Sequence, residues 1–134
     1  MRERYSIPWG WGSPYLKLYV LLETGAYEYL PKENKLRFIS SNNLIRSSGS
    51  AGSGAFGVFV IAVDYDALGG KTGMQRDVAF MGAGSIAQNM SVIGAVYGIQ
   101  MLQQVSINAK SISNELKFDS DTSPIVIMPF GYTN

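Results

Sequence analysis

The stretch Val78–Met90, VAFMGAGSIAQNM, can be read as two different folds, and the choice organises the rest of the chain. In one reading, Val78–Met81 is a short strand. Gly82, Gly84 and Ala87 then spell the G-x-G-x-x-A turn that cradles a dinucleotide pyrophosphate. In the other, the whole stretch lies inside a long helix. The dinucleotide reading needs a second strand that ends in an acid about 20 residues on. Here that strand would end at Ser106, Ile107 and Asn108, and too little chain follows to complete the fold.

The helix reading asks less. Ala79, Ala83, Ile86, Ala87, Met90, Ile93 and Tyr97 recur at steps of three and four. Phe80, Met81, Val92 and Val96 fill the other side, so the pattern predicts a central helix, buried nearly all round, over about 76–97. Gly82, Gly84 and Gly94 would then serve close approach of neighbouring backbones, at roughly 1 kcal/mol each against alanine. Gln88 and Asn89, if buried, need hydrogen-bond partners.

Upstream, YLKLYVLLE (15–23) alternates as a strand does, and GAYEYLP (25–31) with KLRFIS (35–40) reads as a hairpin turning at Lys32-Glu33-Asn34. SSNNLIRSSGSAGSG (40–54) reads as a mobile surface loop; as a phosphate cradle it lacks the Lys-Ser/Thr ending. AFGVFVIAVDY (55–65) is a strand buried on both faces, and DALGGKTGMQ (66–75) a glycine-rich connection. Downstream, MLQQVS (101–106) reads as a strand and Asn108 as the N-cap of a helix over 109–117. PIVIMPFGY (124–132) is a final buried strand. Residues 1–14 hold two Trp and two Pro and form either an arm packed on a neighbour through Trp9 and Trp11 or a disordered end.

Composition narrows the function. The 134 residues suit one domain, and 46% hydrophobic against 16% charged residues favours folding over disorder. That balance, with 12% aromatics, suggests apolar surface covered by a partner subunit. A net charge of +1 argues against nucleic-acid binding. With no cysteine and no histidine, the chain has no disulfide, no Cys/His zinc site, no Ser-His-Asp triad and no thiol nucleophile. MRERYSIPWGWGSP lacks a signal-peptide core, and no run approaches the roughly 18 apolar residues of a membrane span. The expectation is a cytoplasmic protein with no membrane partner.

At this point a family resemblance enters. AGSIAQNMSVIGAVYGI resembles the central helix of the FMN-dependent nitroreductase family, which reads A-G-x-I-x-Q-N, at Ala83, Gly84, Ile86, Gln88, Asn89, Gly98 and Ile99. LKLYVLLETGAYEYLPKENKLRFIS, GVFVIAVDY and PIVIMPFGY are similar, in order, to the family's hairpin, core strand and last strand. The resemblance implies an α+β sandwich, with an antiparallel-rich sheet around the central helix, formed by residues 1–134 as a single domain. It also implies an intertwined homodimer with FMN at the interface. There the flavin takes hydride from NAD(P)H and passes electrons to a small-molecule acceptor, a nitroaromatic or quinone.

Carried over by position, Gln103, Gln104, Val105 and Ser106 would line the flavin, and Ser13 is a remnant of the family's element before the first strand. Arg46, beside the Ser/Gly loop, is a candidate for the phosphate, with Lys71 and Arg76 as further cations. The family's Arg-rich phosphate-binding segment has only Arg2 and Arg4 as counterparts, and Gly82 stands where an acid is frequent. These departures motivate an alternative: the same fold without flavin, acting as a non-catalytic ligand-binding or structural dimer.

Overall fold

The computed structural model describes residues 14–49 and 54–133. The alternating stretch forms β1 (Leu16–Leu22), which turns through Glu23 and Thr24 into β2 (Gly25–Leu30). Gly25 has φ 145, and a Cβ there would lie 2.2 Å from the Ser40 carbonyl oxygen, so only glycine fits. A second turn at residues 31–34 leads to β3 (Lys35–Ser40). Asn34 takes a left-handed φ of 50 there, and its side-chain oxygen accepts a 3.1 Å bond from the Tyr29 hydroxyl.

β4 (Gly57–Asp64) is buried on both faces, as its unbroken apolar run requires. The connection after it is more ordered than its glycines suggest. Asp64 caps a one-turn helix, α1 (Tyr65–Leu68), by accepting from the Ala67 N–H at 3.1 Å, and Gly69 ends it at φ 90. α2 (Gly73–Val96) starts three residues before the expected boundary, because the Thr72 N–H is satisfied by Gln75 Oε1 at 3.0 Å. Val78–Met81 therefore lies within a helix, no strand leads into Gly82, and the dinucleotide-turn reading is excluded.

After α2 come β5 (Ile99–Met101), α3 (Ala109–Glu115) and β6 (Thr122–Tyr132). The six strands form one antiparallel sheet in the order β3-β2-β1-β4-β6-β5. The strand expected over 101–106 pairs regularly only at 99–101, with a lone bridge from Gln104 to Ile127. As the outermost strand it has one neighbour to hold it straight.

The sheet is covered on both sides. On one side Ala79, Ala83 and Ala87 of α2 pack on Leu16, Ile61, Val63 and Met128. On the other, Ile112 and Leu116 and the segment 44–45 pack on Tyr19, Leu21, Val58, Val60 and Ile127. Two features correct the sequence reading. Residues 44–49 do not form a loose surface loop, since Leu44, Ile45 and Ser48 are buried. Among the described residues α2 is covered on one face only: Phe80, Met81, Val92, Ile93 and Val96 are exposed.

Candidate functional site

The segment after β5 carries four of the residues singled out by the sequence, and strand alternation divides them. Leu102 N–H donates to Pro129 O at 3.0 Å; Gln104 and Ile127 exchange two bonds of 2.9 Å. Residues 102 and 104 thus turn their backbone groups toward β6, which turns those of Gln103 and Val105 outward, off the sheet edge. Among the described residues no hydrogen bond takes the Gln103 or Val105 N–H. Met101 packs against the α2 side and Ile127, opposite Gln104, belongs to the α3 side. Gln103 and Val105 therefore lean toward α2, and Gln104 and Ser106 toward α3. The four side chains cannot all touch one face of one ring; what they share is the backbone edge.

The Gln104 Oε1 atom is buried and has no partner among the described residues. A buried acceptor without a donor costs on the order of 1–3 kcal/mol. It lies on the α3 side of the segment, away from the outward N–H groups of Gln103 and Val105. Val96, Tyr97, Leu102 and Val105 surround the edge with exposed apolar surface.

Arg46 sits on the loop that borders the same segment. The Asn108 N–H donates to Ser48 O at 2.9 Å, and a Cβ at Gly49 would lie 2.6 Å from Ser106 O, so loop and segment are in direct contact. The guanidinium itself is exposed on a groove of about 710 Å³ whose lining includes Glu23, Thr24, Asn43, Phe56 and Tyr132. It makes no ion pair among the described residues. Phe56 and Tyr132 meet edge to face with centroids 5.1 Å apart. Ser13 lies outside the described residues. Lys71 is engaged elsewhere, 2.5 Å from Ser120 O and 3.5 Å from Asp121. Arg76, in the first turn of α2, makes no ion pair among the described residues.

The sequence reading did not find the contacts that hold this loop. Glu115, at the end of α3, accepts from Ser40 Oγ at 2.6 Å and from the Asn42 side-chain amide. These two donors, Ser40 first, hold its carboxyl below the usual carboxylate range, with a smaller contribution from Lys117. Nothing in the local pattern signals a pairing across 75 residues. Tyr19 lies at the centre of the α3 face, and burial raises its hydroxyl far above the ordinary value.

Among the described residues, no group of three or more acidic, His or Cys side chains could hold a metal ion. No helix among them is long and apolar enough to cross a membrane.

No family model and no curated protein matches the chain. Solved structures do. A nitroreductase-type protein from Ralstonia eutropha JMP134 aligns over 95% of this chain and 62% of its own, with a TM-score of 0.85 and 19% identity. A chain of the E. coli microcin synthetase McbBCD complex, solved with truncated pro-MccB17 bound, aligns over 98% of this chain and 56% of its own, with a TM-score of 0.85 and 18% identity. A nitroreductase family protein from Streptococcus pneumoniae TIGR4 aligns over 95% and 74%, with a TM-score of 0.66 and 14% identity. The chain thus spans less than two thirds of the length of the first two. Six antiparallel strands, the long helix against one face and these neighbours agree: this chain has a nitroreductase-like fold.

Proposed function

We propose that the chain is an FMN-dependent oxidoreductase of nitroreductase type. It works as a single-domain unit in a homodimer and passes electrons from NAD(P)H to a nitroaromatic or quinone-like acceptor. The observation that carries the reading is the open edge at 103–105. Its two outward N–H groups have no partner among the described residues, and exposed apolar side chains lie on and near the segment. A planar ring system with acceptors and a donor along its rim suits that edge in donor set and in surface.

When bound, FMN would supply the hydride and electron chemistry that the chain's own side chains lack. The residues have the simpler tasks of binding and orientation. The Gln103 and Val105 N–H groups donate to ring acceptors, where such donors also favour negative charge on the ring. Gln104 and Ser106 keep the segment registered against β6 and the Arg46 loop. Arg46 offers the charge for a phosphate, and Ser13, by its place in the sequence, is a further candidate contact to the cofactor. Val96, Tyr97 and Leu102 keep water from the ring, with a second copy covering the exposed face of α2.

The test is direct. Purified protein should show the yellow visible absorbance of oxidised flavin, or gain it on adding FMN, and NAD(P)H should bleach it. Protein that stays colourless with added FMN would sink this reading. The second reading, a non-catalytic ligand-binding or structural dimer, is favoured by Arg46 being the single cation among the described residues of the groove lining. The likeness to a chain of a multi-protein complex favours it too. Tight FMN binding with turnover would rule it out.

A further inference from the structure

We propose that Glu115 is a positioning residue: its carboxylate latches the segment Asn42–Gly49 onto α3, fixing Arg46 and the Ser106 edge in one register. The latch stands on the geometry of the chain; its consequence for a bound phosphate rests on the flavin reading above.

One carboxylate oxygen of Glu115 takes both Ser40 Oγ and the Asn42 side-chain amide, at the point where β3 ends and the loop begins. Bonds to an ionised acceptor are the stronger kind. Beyond that point the loop is held by its own side chains. Asn43 Oδ1 accepts from the Ile45 N–H at 3.1 Å, and Ser47 Oγ donates to Leu44 O at 3.2 Å. Ser48 Oγ, fully buried, donates to Ile45 O at 2.7 Å. The far end returns to the start of α3, where Ser48 O accepts the Asn108 N–H and Gly49 crowds Ser106 O. A seven-residue helix rises about 10 Å. The loop is therefore pinned at both ends of α3, by Glu115 at one and by the cap residue Asn108 at the other, with Leu44 and Ile45 packed near Ile112 and Leu116 between them.

The pins differ in kind. The Asn108 contact is backbone to backbone and survives side-chain change. The Glu115 contact is a single side chain reaching from outside the loop, so among the described polar contacts it is one that can be released without altering the loop itself. Arg46 lies between the pins, on the exposed side, and its placement over the groove depends on both.

Amide hydrogen exchange followed by peptide mass spectrometry, with FMN titration of the same samples, tests this. Glu115→Ala should raise exchange about tenfold in peptides covering 42–49, while Asn108, β1 and β4 stay protected. Glu115→Gln, which keeps one acceptor oxygen, should recover part of that protection. FMN affinity should fall about fivefold in Glu115→Ala; in Arg46→Gln it should fall with loop exchange unchanged. Should Glu115→Ala unfold the chain, the double variant Ser40→Ala/Asn42→Ala removes the donors and leaves α3 intact. Unchanged loop exchange in that variant overturns the latch, as does weaker FMN binding without faster loop exchange. Wild-type protein that never binds FMN defeats the flavin reading alone, and the exchange data still decide the latch.

Discussion

Three glycines of α2 look alike in the sequence and differ in the fold. A Cβ on Gly82 would lie 2.9 Å from Leu16 Cδ1 and 3.1 Å from the Tyr15 hydroxyl. One on Gly94 would lie 2.7 Å from Met101 Cε and 3.2 Å from Ile99 O. One on Gly84 meets nothing within 4 Å. The close-approach explanation therefore holds for two of the three within this chain. Gly82→Ala should destabilise by about 1–3 kcal/mol through overpacking. Gly84→Ala should stabilise by about 1 kcal/mol through helix propensity. Urea denaturation of both variants measures the pair. A loss at Gly84 would show that a second copy packs there.

At the scale of elements, α3 and the loop before β4 act as one unit through Glu115. Its folded-state pKa is depressed, so its contribution to stability is fully present above the ordinary glutamate value and disappears as pH falls through the lower folded value. Wild type should accordingly exceed Glu115→Gln in stability at pH 7, and the two should converge in acid, below the folded-state value. Parallel denaturation curves at the two pH values check the sign, and a gap that persists in acid would contradict it. The segment 40–49 shows why the sequence misleads here. Serines and asparagines usually mark solvated turns. In this chain they spend their polar groups on the backbone of Leu44 and Ile45 and on Glu115, which lets those two side chains enter the core.

At the scale of the whole molecule, the described residues leave one face uncovered. α2 buries small residues against the sheet and presents Phe80, Met81, Val92, Ile93 and Val96 outward. Beside it, a largely apolar groove of about 510 Å³ runs between Ile86 and Met90 of α2 and Leu16, Leu18 and Tyr29 of the sheet. Clustered exposed apolar side chains of this kind are a mark of interaction surfaces and ligand grooves. The proposed homodimer covers it, and Val96→Glu should shift sedimentation from dimer to monomer while leaving the far-ultraviolet circular dichroism unchanged. A monomeric wild type would refute the dimer.

The sequence by itself determined most of the longer elements. Alternation in 15–40, the unbroken apolar runs at 55–65 and 124–132, and the three- and four-residue spacing through 79–97 each specify one local geometry, because side-chain periodicity is a property of neighbouring residues. Asn108 was legible as a cap for the same reason, and its side chain does accept from the Ser111 N–H at 3.3 Å. Only the tertiary structure decided which face each element hides. It split Gln103 and Val105 from Gln104 and Ser106, gave Gly82 and Gly94 their neighbours, and brought Glu115 to Ser40 and Asn42. Those outcomes depend on strands meeting in the order β3-β2-β1-β4-β6-β5, and contacts between distant segments leave no period in the sequence.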